Sequence, residues 1–552
     1  MKHWRHIFII SLFLICCSAI LLRVGYLNVN EKEFLQSQGD ARSIRSKVIP
    51  AYRGVIYDRY GEPLAVSSPV FSVWTDPSEK TLVNTDISEL ARILDLEETS
   101  LIKKLRNNSS KEFLWLRRRL PWSTADKIRD LDLDGLYFRS EYKRYYPAGE
   151  VASHVVGMTN IDGKGLEGVE LIFDHILRGT SGKKIVLQNE RGEIIKDLDY
   201  LSSPQFGQDL HLSLDLRLQF VAYRELKAAV EANQALSGSL VMLDAETGEI
   251  LALVNQPSYN PNELQTDYIF GLKNRAVTDT YEPGSTIKPF TIMAALESAE
   301  YSAASQIDTA PGFFKVGGKL IEDPVDRGTL SLGEVLKVSS QVGIAKVALA
   351  LDEDAVYQVL VRAGIDEYIG AGLPGEAQSL IDNSQLSNPI VRATLAYGYG
   401  LAISPLQLAQ AYLTLASEGL RVPVNVVRQD SPAEERRVFE KTTSSQVVRM
   451  METVTDDTGT APKARVSGYR VAGKTGTARK VGADGYDDER HVAIFAGMAP
   501  ASSPKVVLVV VINEPQGLSR GGGEVAAPVF GRVMARSLRL LGVEPDAPGR
   551  SA

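Results

Sequence analysis

The stretch from Tyr281 to Phe290 constrains this chain more than any other. It reads Tyr281-Glu282-Pro283-Gly284-Ser285-Thr286-Ile287-Lys288-Pro289-Phe290, and the apolar run Thr291-Ile292-Met293-Ala294-Ala295-Leu296 follows. A Pro-Gly pair is turn chemistry, and the apolar run after it needs burial. The spacing predicts a loop feeding the first turn of a buried helix. Pro289 is tolerated there because backbone N–H groups in a first helical turn lack intrahelical partners. A step of three puts Ser285 and Lys288 on one helix face. A serine at a helix N-terminus beside a desolvated lysine is a nucleophile with a built-in base. The pattern alone is weak, since Ser-x-x-Lys also begins at Ser100, Ser140, Ser181 and Ser502, and coincidence is the default reading of a single match. Context lifts Ser285. Two later stretches, Ser339-Ser340-Gln341 and Lys474-Thr475-Gly476-Thr477, carry further hydroxyls and a second lysine. Taken alone, the latter reads as a strand-end turn.

The rest of the composition narrows the chemistry. A chain of 552 residues has room for several domains and a substantial core. Its 44% hydrophobic and 23% charged content is that of a folded protein. A net charge of −7 without a broad basic patch argues against nucleic-acid binding. Arg117-Arg118-Arg119 is short and reads as a solvated face. Both cysteines, Cys16 and Cys17, lie in one apolar N-terminal segment, so the remaining chain forms no disulfide or thiolate metal site. No two of the six histidines stand at His-Glu-x-x-His spacing.

That N-terminal segment is an address. Lys2, His3, Arg5 and His6 precede Ile7 to Leu22, which is almost continuously apolar. Extended to Leu27 it reaches roughly 20 residues, about what a bilayer needs, with Arg23 able to snorkel toward headgroups. A cleaved signal peptide is the rival reading, but there is no clear small-x-small cleavage site. An uncleaved anchor with the positive end inside is expected.

Downstream, residues 28–47 read as a charged stalk. Arg53 to Ala65 reads as strand, turn, strand, and Val70 to Trp74 as a further strand. Helical periodicity marks 86–106 and 123–131. A helix is expected over Glu167 to Arg178, ended by Gly179-Thr180, and strand pieces at 184–188 and 210–214. The character changes near 215. A helix over about 215–232 leads to two apolar runs flanking Asp244-Ala245-Glu246-Thr247-Gly248-Glu249, a hairpin signature. A mostly helical region then extends to about 455, with Ser404-Pro405 opening a helix. Strands return at 468–478, 491–498 and 505–512. An α+β class follows: one antiparallel sheet packed by helices.

Several segments together resemble one family. Arg53-Gly54…Asp58-Arg59…Gly61, Arg144-Tyr145-Tyr146-Pro147 and Gly165-Leu166-Glu167-Gly168-Val169-Glu170 resemble the non-catalytic half of class B penicillin-binding proteins. By composition alone the last two read as plain loop and helix-start chemistry. Glu282 to Pro289, Ser339 to Gly343, Tyr397-Gly398-Tyr399-Gly400 and Lys474 to Ala478 resemble the transpeptidase half, with the set Ser-x-x-Lys, Ser-x-x and Lys-Thr-Gly in order. Ser404 to Leu408, Val511 to Pro515 and Ala527 to Phe530 resemble the division-specific FtsI type. The resemblance implies an anchor over 1–27, an elongated mixed α/β pedestal over 28–215, a transpeptidase domain over 216–540 and a disordered tail over 541–552.

It also implies an activity and a set of roles. The activity is that of a peptidoglycan D,D-transpeptidase of the serine-type D-Ala-D-Ala carboxypeptidase class, inhibited by β-lactams and active at the septum. Ser285 becomes the acyl-ester nucleophile, Lys288 its base, and Ser339 a proton relay. The backbone N–H groups of Ser285 and Thr477 hold the oxyanion, while Gln341, Lys474, Thr475, Gly476 and Thr477 bind substrate, Gly476 by letting a substrate backbone come close. Stem peptides, an FtsW-type glycosyltransferase and other division proteins are the implied partners, and the inner membrane the implied location. No metal or organic cofactor is implied. One position departs from the pattern: the second motif usually ends in Asn, and here it ends in Gln341. The extra methylene adds roughly 1.5 Å, and about 1 Å of misplacement can cost 100-fold in rate. A weakened or inactive penicillin-binding scaffold of the division machinery is therefore the alternative.

Overall fold

A computed structural model of the chain describes residues 2–547 except 80–81, 83, 190–193, 265–267, 430–434, 483–484 and 518. It divides into two compact units, and the division does not follow chain order. One comprises residues 1–53, 67–143 and 178–207, the other residues 54–66, 144–177 and 208–552.

The first unit begins with the helix Lys2–Val29, of which the 27 residues His3–Val29 are long and apolar enough to cross a membrane. A second helix, Lys32–Ser43, runs into the strand Ile44–Ile49. That strand pairs with Gly182–Gln188, which pairs in turn with Ile194–Ser202, all antiparallel. The strand Ile194–Ser202 was not expected. It is exposed throughout and so lacks a buried face that would show as alternation. Elsewhere in this unit, Phe71–Thr75 pairs with Leu114–Leu120. The helices Asn84–Leu94, Glu98–Asn107 and Trp122–Arg129 bury Leu90, Leu94, Leu101 and Ile128 with Val73 and Leu116. The expected helix over 86–106 is thus two helices, broken at Asp95, whose φ is +52°.

The second unit is built on a five-stranded antiparallel sheet. Its order is Ile250–Gln256, Ser237–Asp244, Val506–Asn513, Gly485–Ala499 and Ala472–Gly482. Every residue of Val506–Asn513 is buried, because helices cover both faces. Leu508, Val510 and Ile512 pack with helices Leu216–Ala232 and Ala527–Leu540. Val507, Val509 and Val511 join the larger core with helices Lys288–Glu297, Pro405–Ala416 and Lys441–Glu452. A continuous apolar run is what a doubly covered strand requires. The sheet ends at Ala472–Gly482, an edge strand.

Segments 54–66 and 144–177 belong to this second unit. Asp58 Oδ1 accepts from Tyr60 N and Glu62 N, both at 2.8 Å, and shapes the turn after Ile56–Tyr57. Asp58 Oδ2 accepts from Leu216 N at 3.2 Å, at the start of a helix. Arg144 and Glu170 form a buried ion pair at 2.6 Å, with side chains 3% and 0% exposed. The Arg-Tyr-Tyr-Pro and Gly-Leu-Glu-Gly-Val-Glu segments are therefore two halves of one buried contact, not separate loops. The helix expected over Glu167 to Arg178 is broken into Gly168–Ile172 and Asp174–Leu177.

Two further expectations need correction. The strand predicted over 468–478 lies four residues later, at 472–482, and the strand 485–499 outruns the predicted 491–498 at both ends. Their outer ends are charged and project past the core, so no apolar pattern marks them; cross-strand contacts such as Arg479 with Asp488 at 2.8 Å hold them. The tail also begins later than expected. Tyr469 Oη donates to Val543 O at 2.6 Å, and Asp546 accepts from Arg470 N at 2.7 Å. Residues 548–552 lie outside the described residues.

Candidate active site

The nucleophile stretch folds as a 3-10 turn, Gly284–Ile287, running directly into the helix Lys288–Glu297 with Pro289 in its first turn. In 3-10 geometry, side chains three apart eclipse, so Ser285 and Lys288 leave the turn on one side. The turn is wedged in place. Tyr412, fully buried, donates from Oη to Thr286 O at 2.8 Å, and Thr286 Oγ1 donates to Pro283 O at 2.8 Å. Gly284 N donates to Gly398 O at 3.1 Å, and a Cβ on Gly398 would lie 2.0 Å from Gly284 O. Only glycine fits there, which accounts for Gly398 in Tyr-Gly-Tyr-Gly. Ser285 itself is half-buried, and its hydroxyl makes no hydrogen bond among the described residues.

Lys288 is fully buried. Its Nζ donates to Ser339 O at 2.6 Å and to Ser339 Oγ at 3.1 Å. Lys474, also fully buried, reaches the same Ser339 Oγ at 3.0 Å from the edge strand, and Thr475 Oγ1 at 3.3 Å. Three distant segments thus converge on one hydroxyl. Burial pulls Lys288 down to about 7, opposed by the negative charge of Asp323. Burial, and then the neighbouring Lys288, holds Lys474 well below the usual lysine range. Two amines around one hydroxyl in a dry site do not both keep a proton readily.

Ser339 stands in a left-handed backbone conformation, φ +60°. A non-glycine residue there costs about 1–3 kcal/mol and persists only where its surroundings hold it. It sits just past the helix Leu332–Lys337 and before Gln341–Ala350, a position where glycine is the usual residue. Here the position holds serine, and its hydroxyl lies within reach of both lysines.

The edge strand lies against the serine turn. A Cβ on Gly476 would stand 2.7 Å from Pro283 O and 2.9 Å from Thr286 Cγ2. The bare Cα of Gly476, assigned on sequence to substrate approach, is thus taken up by packing against the protein's own turn. Thr475 is buried, and its Oγ1 lies 3.0 Å from Thr460 Oγ1. Thr477 is exposed, and its Oγ1 accepts from Gly522 N at 3.0 Å. Gln341 opens the helix Gln341–Ala350. Its backbone N–H donates to Asp323 Oδ1 at 2.5 Å, while its half-buried side chain makes no hydrogen bond to the other site residues.

Sequence reasoning missed Asp323, Thr460 and Glu282. Glu282 Oε1 accepts from Gly400 N at 2.9 Å and from Tyr486 Oη at 3.0 Å, tying the serine turn to Tyr-Gly-Tyr-Gly and to the hairpin after the edge strand. Burial raises this carboxyl. Its place directly before Pro283-Gly284 was the only available signal. Among the described residues no group of three or more His, Cys, Asp or Glu side chains is placed to hold a metal ion.

A serine in a tight turn, a buried lysine on its helix, and a second serine and lysine closing over them define an acyl-transferring serine enzyme. The chain belongs to the penicillin-binding proteins of class B: residues 48–212 match the Penicillin-binding Protein dimerisation domain and residues 238–535 the Penicillin binding protein transpeptidase domain. It is 42% identical to the peptidoglycan D,D-transpeptidase FtsI of Escherichia coli over 549 residues, covering 99% of this chain and 93% of the relative. It is 40% identical to the probable peptidoglycan D,D-transpeptidase PbpC of Pseudomonas aeruginosa over 545 residues, 99% of this chain and 96% of the relative. The fold is similar to that of penicillin binding protein 3 from Mycobacterium tuberculosis, crystallised with aztreonam: TM-score 0.70, 26% identity, 91% of this chain and 99% of the other.

Proposed function

We propose that this protein is a membrane-anchored peptidoglycan D,D-transpeptidase of the FtsI type, cross-linking septal cell wall. The donor is a stem peptide ending in D-Ala-D-Ala. Ser285 Oγ attacks the carbonyl carbon of the penultimate D-alanine while its proton passes to neutral Lys288. The tetrahedral oxyanion is held by the backbone N–H groups of Ser285 and Thr477; such a donor is typically worth roughly 3 kcal/mol. The C–N bond breaks, and the departing D-alanine takes a proton relayed through Ser339. An amine on a neighbouring stem then attacks the Ser285 ester, gives up a proton by the same route, and restores the free serine. Lys474, Thr475 and Thr477 offer charge and hydroxyls to the terminal carboxylate.

The observation that carries this reading is the convergence of Lys288 and Lys474 on Ser339 Oγ, at 3.1 and 3.0 Å. An inert scaffold has no use for two desolvated amines in one site, and burying them opposes stability. The helix His3–Val29 serves as a single-pass anchor in the plasma membrane, with the bulk of the chain on the periplasmic side. An FtsW-type glycosyltransferase and other division proteins are its partners on this reading. β-Lactams act on Ser285 as analogues of the donor.

Intact-protein mass spectrometry after benzylpenicillin treatment tests the chemistry. One stable adduct of the drug's full mass is expected, mapping to the peptide that contains Ser285 and absent from Ser285→Ala. A folded wild-type chain that takes up no drug would sink the proposal.

A further inference from the structure

We propose that the open face of a sheet in the first unit is a second substrate contact: a row of aromatic rings, flanked by arginines, that takes a glycan strand of peptidoglycan by its sugar rings. The inference rests on peptidoglycan being the substrate, and it concerns a surface outside the acylation site.

Helices cover one face of this sheet. They bury Val73 from Pro63–Thr75 and Leu116 from Leu114–Leu120. Leu136 and Phe138, from Leu136–Tyr145, pack against the same core, and that strand also pairs with Pro63–Thr75. The neighbours Trp74, Trp115 and Tyr137 turn to the opposite face, as alternation along a strand requires. Trp74 stands across from Trp115 in the register, and Phe113 joins them from just before the strand. None of the four rings belongs to a buried core of the molecule. Phe113 is 42% exposed, and the other three are partly so.

The rings form a continuous row. Trp115 meets Phe113 with centroids 4.9 Å apart, Phe113 meets Trp74 at 4.8 Å, and Trp74 stacks on Tyr137 at 4.4 Å. The open face of an antiparallel sheet is ordinarily polar, so four aromatic rings there mark a contact surface. Cross-strand packing makes the row rigid but does not account for its exposure. Tryptophan and tyrosine supply broad contact area at low entropic cost.

The two ends of the row carry opposite charge. At the Trp115 end, the guanidinium groups of Arg118 and Arg139 lie 5.3 and 6.0 Å from the ring centroid. Arg118 is held there by Glu141 at 2.8 Å. At the other end, Tyr137 Oη donates to Glu79 Oε2 at 3.4 Å. A pyranose ring has a flat apolar C–H face and a rim of hydroxyls. The face stacks on an aromatic plane, and the hydroxyls donate to a carboxylate such as that of Glu79. The stems hung on the sugars bring carboxylates, their C-termini among them, and an arginine fork takes these well. A nucleic-acid strand also stacks on such rings, but its phosphates would have to pass Glu79 on a chain of net charge −7. Mixed ends suit neutral sugars with acidic branches. A strand held here raises the effective concentration of its stems for the same enzyme molecule.

The test is a titration of the full-length protein in detergent, treated with benzylpenicillin beforehand and followed by tryptophan fluorescence. The four tryptophans are Trp4, Trp74, Trp115 and Trp122, and none lies in the second unit, so the signal does not report on the acylation site. The probes are soluble uncross-linked glycan strands with their stems, the same strands stripped of peptide, and the free stem peptide. Both strands should give a saturable change and the free peptide none. Trp74→Ala should weaken both strands about tenfold, an aromatic contact expressed as affinity, and Trp74→Phe should restore most of it. Arg139→Ala should weaken strands with stems and leave stripped strands alone. No saturable change with either strand, an equal change with the free peptide, or unaltered affinity in Trp74→Ala overturns the inference; the first of these leaves the face to a protein partner. Should Trp74→Ala lose its thermal transition, Phe113→Ala, at the most exposed of the four rings, decides by the same criterion. A wild-type chain that binds strands but takes up no penicillin refutes the assignment of Ser285 and upholds this contact.

Discussion

The second unit buries two pairs of charged side chains, and they are opposites. Arg144 and Glu170 attract, meet at 2.6 Å, and are withdrawn from water together. Lys288 and Lys474 repel and are equally withdrawn, yet both are drawn to one serine oxygen. Desolvation penalises all four groups. In the first pair mutual attraction offsets it, and the product is a fixed joint between two segments 26 residues apart. In the second pair nothing offsets it fully, and both amines are held below the ordinary lysine range. Matched burial makes architecture; mismatched burial shifts a titration.

Breaking the mismatched pair is expected to have the largest effect. Lys288→Met replaces a buried amine with an apolar chain of similar length. Acylation by penicillin should fall about 10,000-fold, the upper end of what a positioned base contributes, with thermal stability equal or higher. The pH dependence of stability separates the pairs further. Lys288 titrates at about 7 in the folded chain against an ordinary value of 10.5, so between these values the unfolded chain binds more protons. Stability of the wild type therefore rises with pH from about 7 to about 10. Lys288→Met should make that rise shallower, leaving the part that Lys474 contributes, read as urea midpoints across the interval. A slope unchanged by the substitution would mean Lys288 is charged when folded.

Breaking the matched pair should damage folding and spare chemistry. Glu170→Ala leaves Arg144 buried without its counter-charge, at a cost of about 3–5 kcal/mol. Replacing both residues by Met should recover most of it. Urea unfolding reads the loss, and acylation per folded molecule should match wild type. A large drop in acylation by the folded fraction would show that this joint also shapes the site.

The smallest effect is expected at Gln341. Its backbone N–H is already fixed by Asp323, and its side chain makes no hydrogen bond to Ser339, Lys288 or Lys474. Gln341→Asn should change the penicillin acylation rate by less than about tenfold, within the 100-fold that an ångström can cost. An inactive wild type rescued by Asn would reverse that expectation and favour the scaffold alternative.

What the sequence made legible was local. The turn and helix around Ser285, the hairpin before it and the Lys-Thr-Gly-Thr strand each carry their signal within a dozen residues. The doubly buried strand 506–513 announces itself as an unbroken apolar run. What stayed hidden depends on tertiary meeting points. Nothing near Arg144 signals that its counter-charge is Glu170, and nothing in Ile321-Glu322-Asp323 indicates that the aspartate clamps a turn formed later in the chain. The strand Ile194–Ser202 was missed because it is exposed along its length, and periodicity reports burial rather than pairing. Gly476 was legible as a residue that must be glycine; that its neighbour is the protein's own turn required coordinates.

The discontinuous second unit bears on biogenesis. Segment 54–66 emerges from the ribosome long before Val506–Asn513, the strand at the centre of the sheet in its unit. At about 5–20 residues per second, the interval is tens of seconds. Throughout it Ile56 and Leu64, destined for full burial, have no finished core to enter. Until that strand is made, those two apolar side chains are open to premature partners.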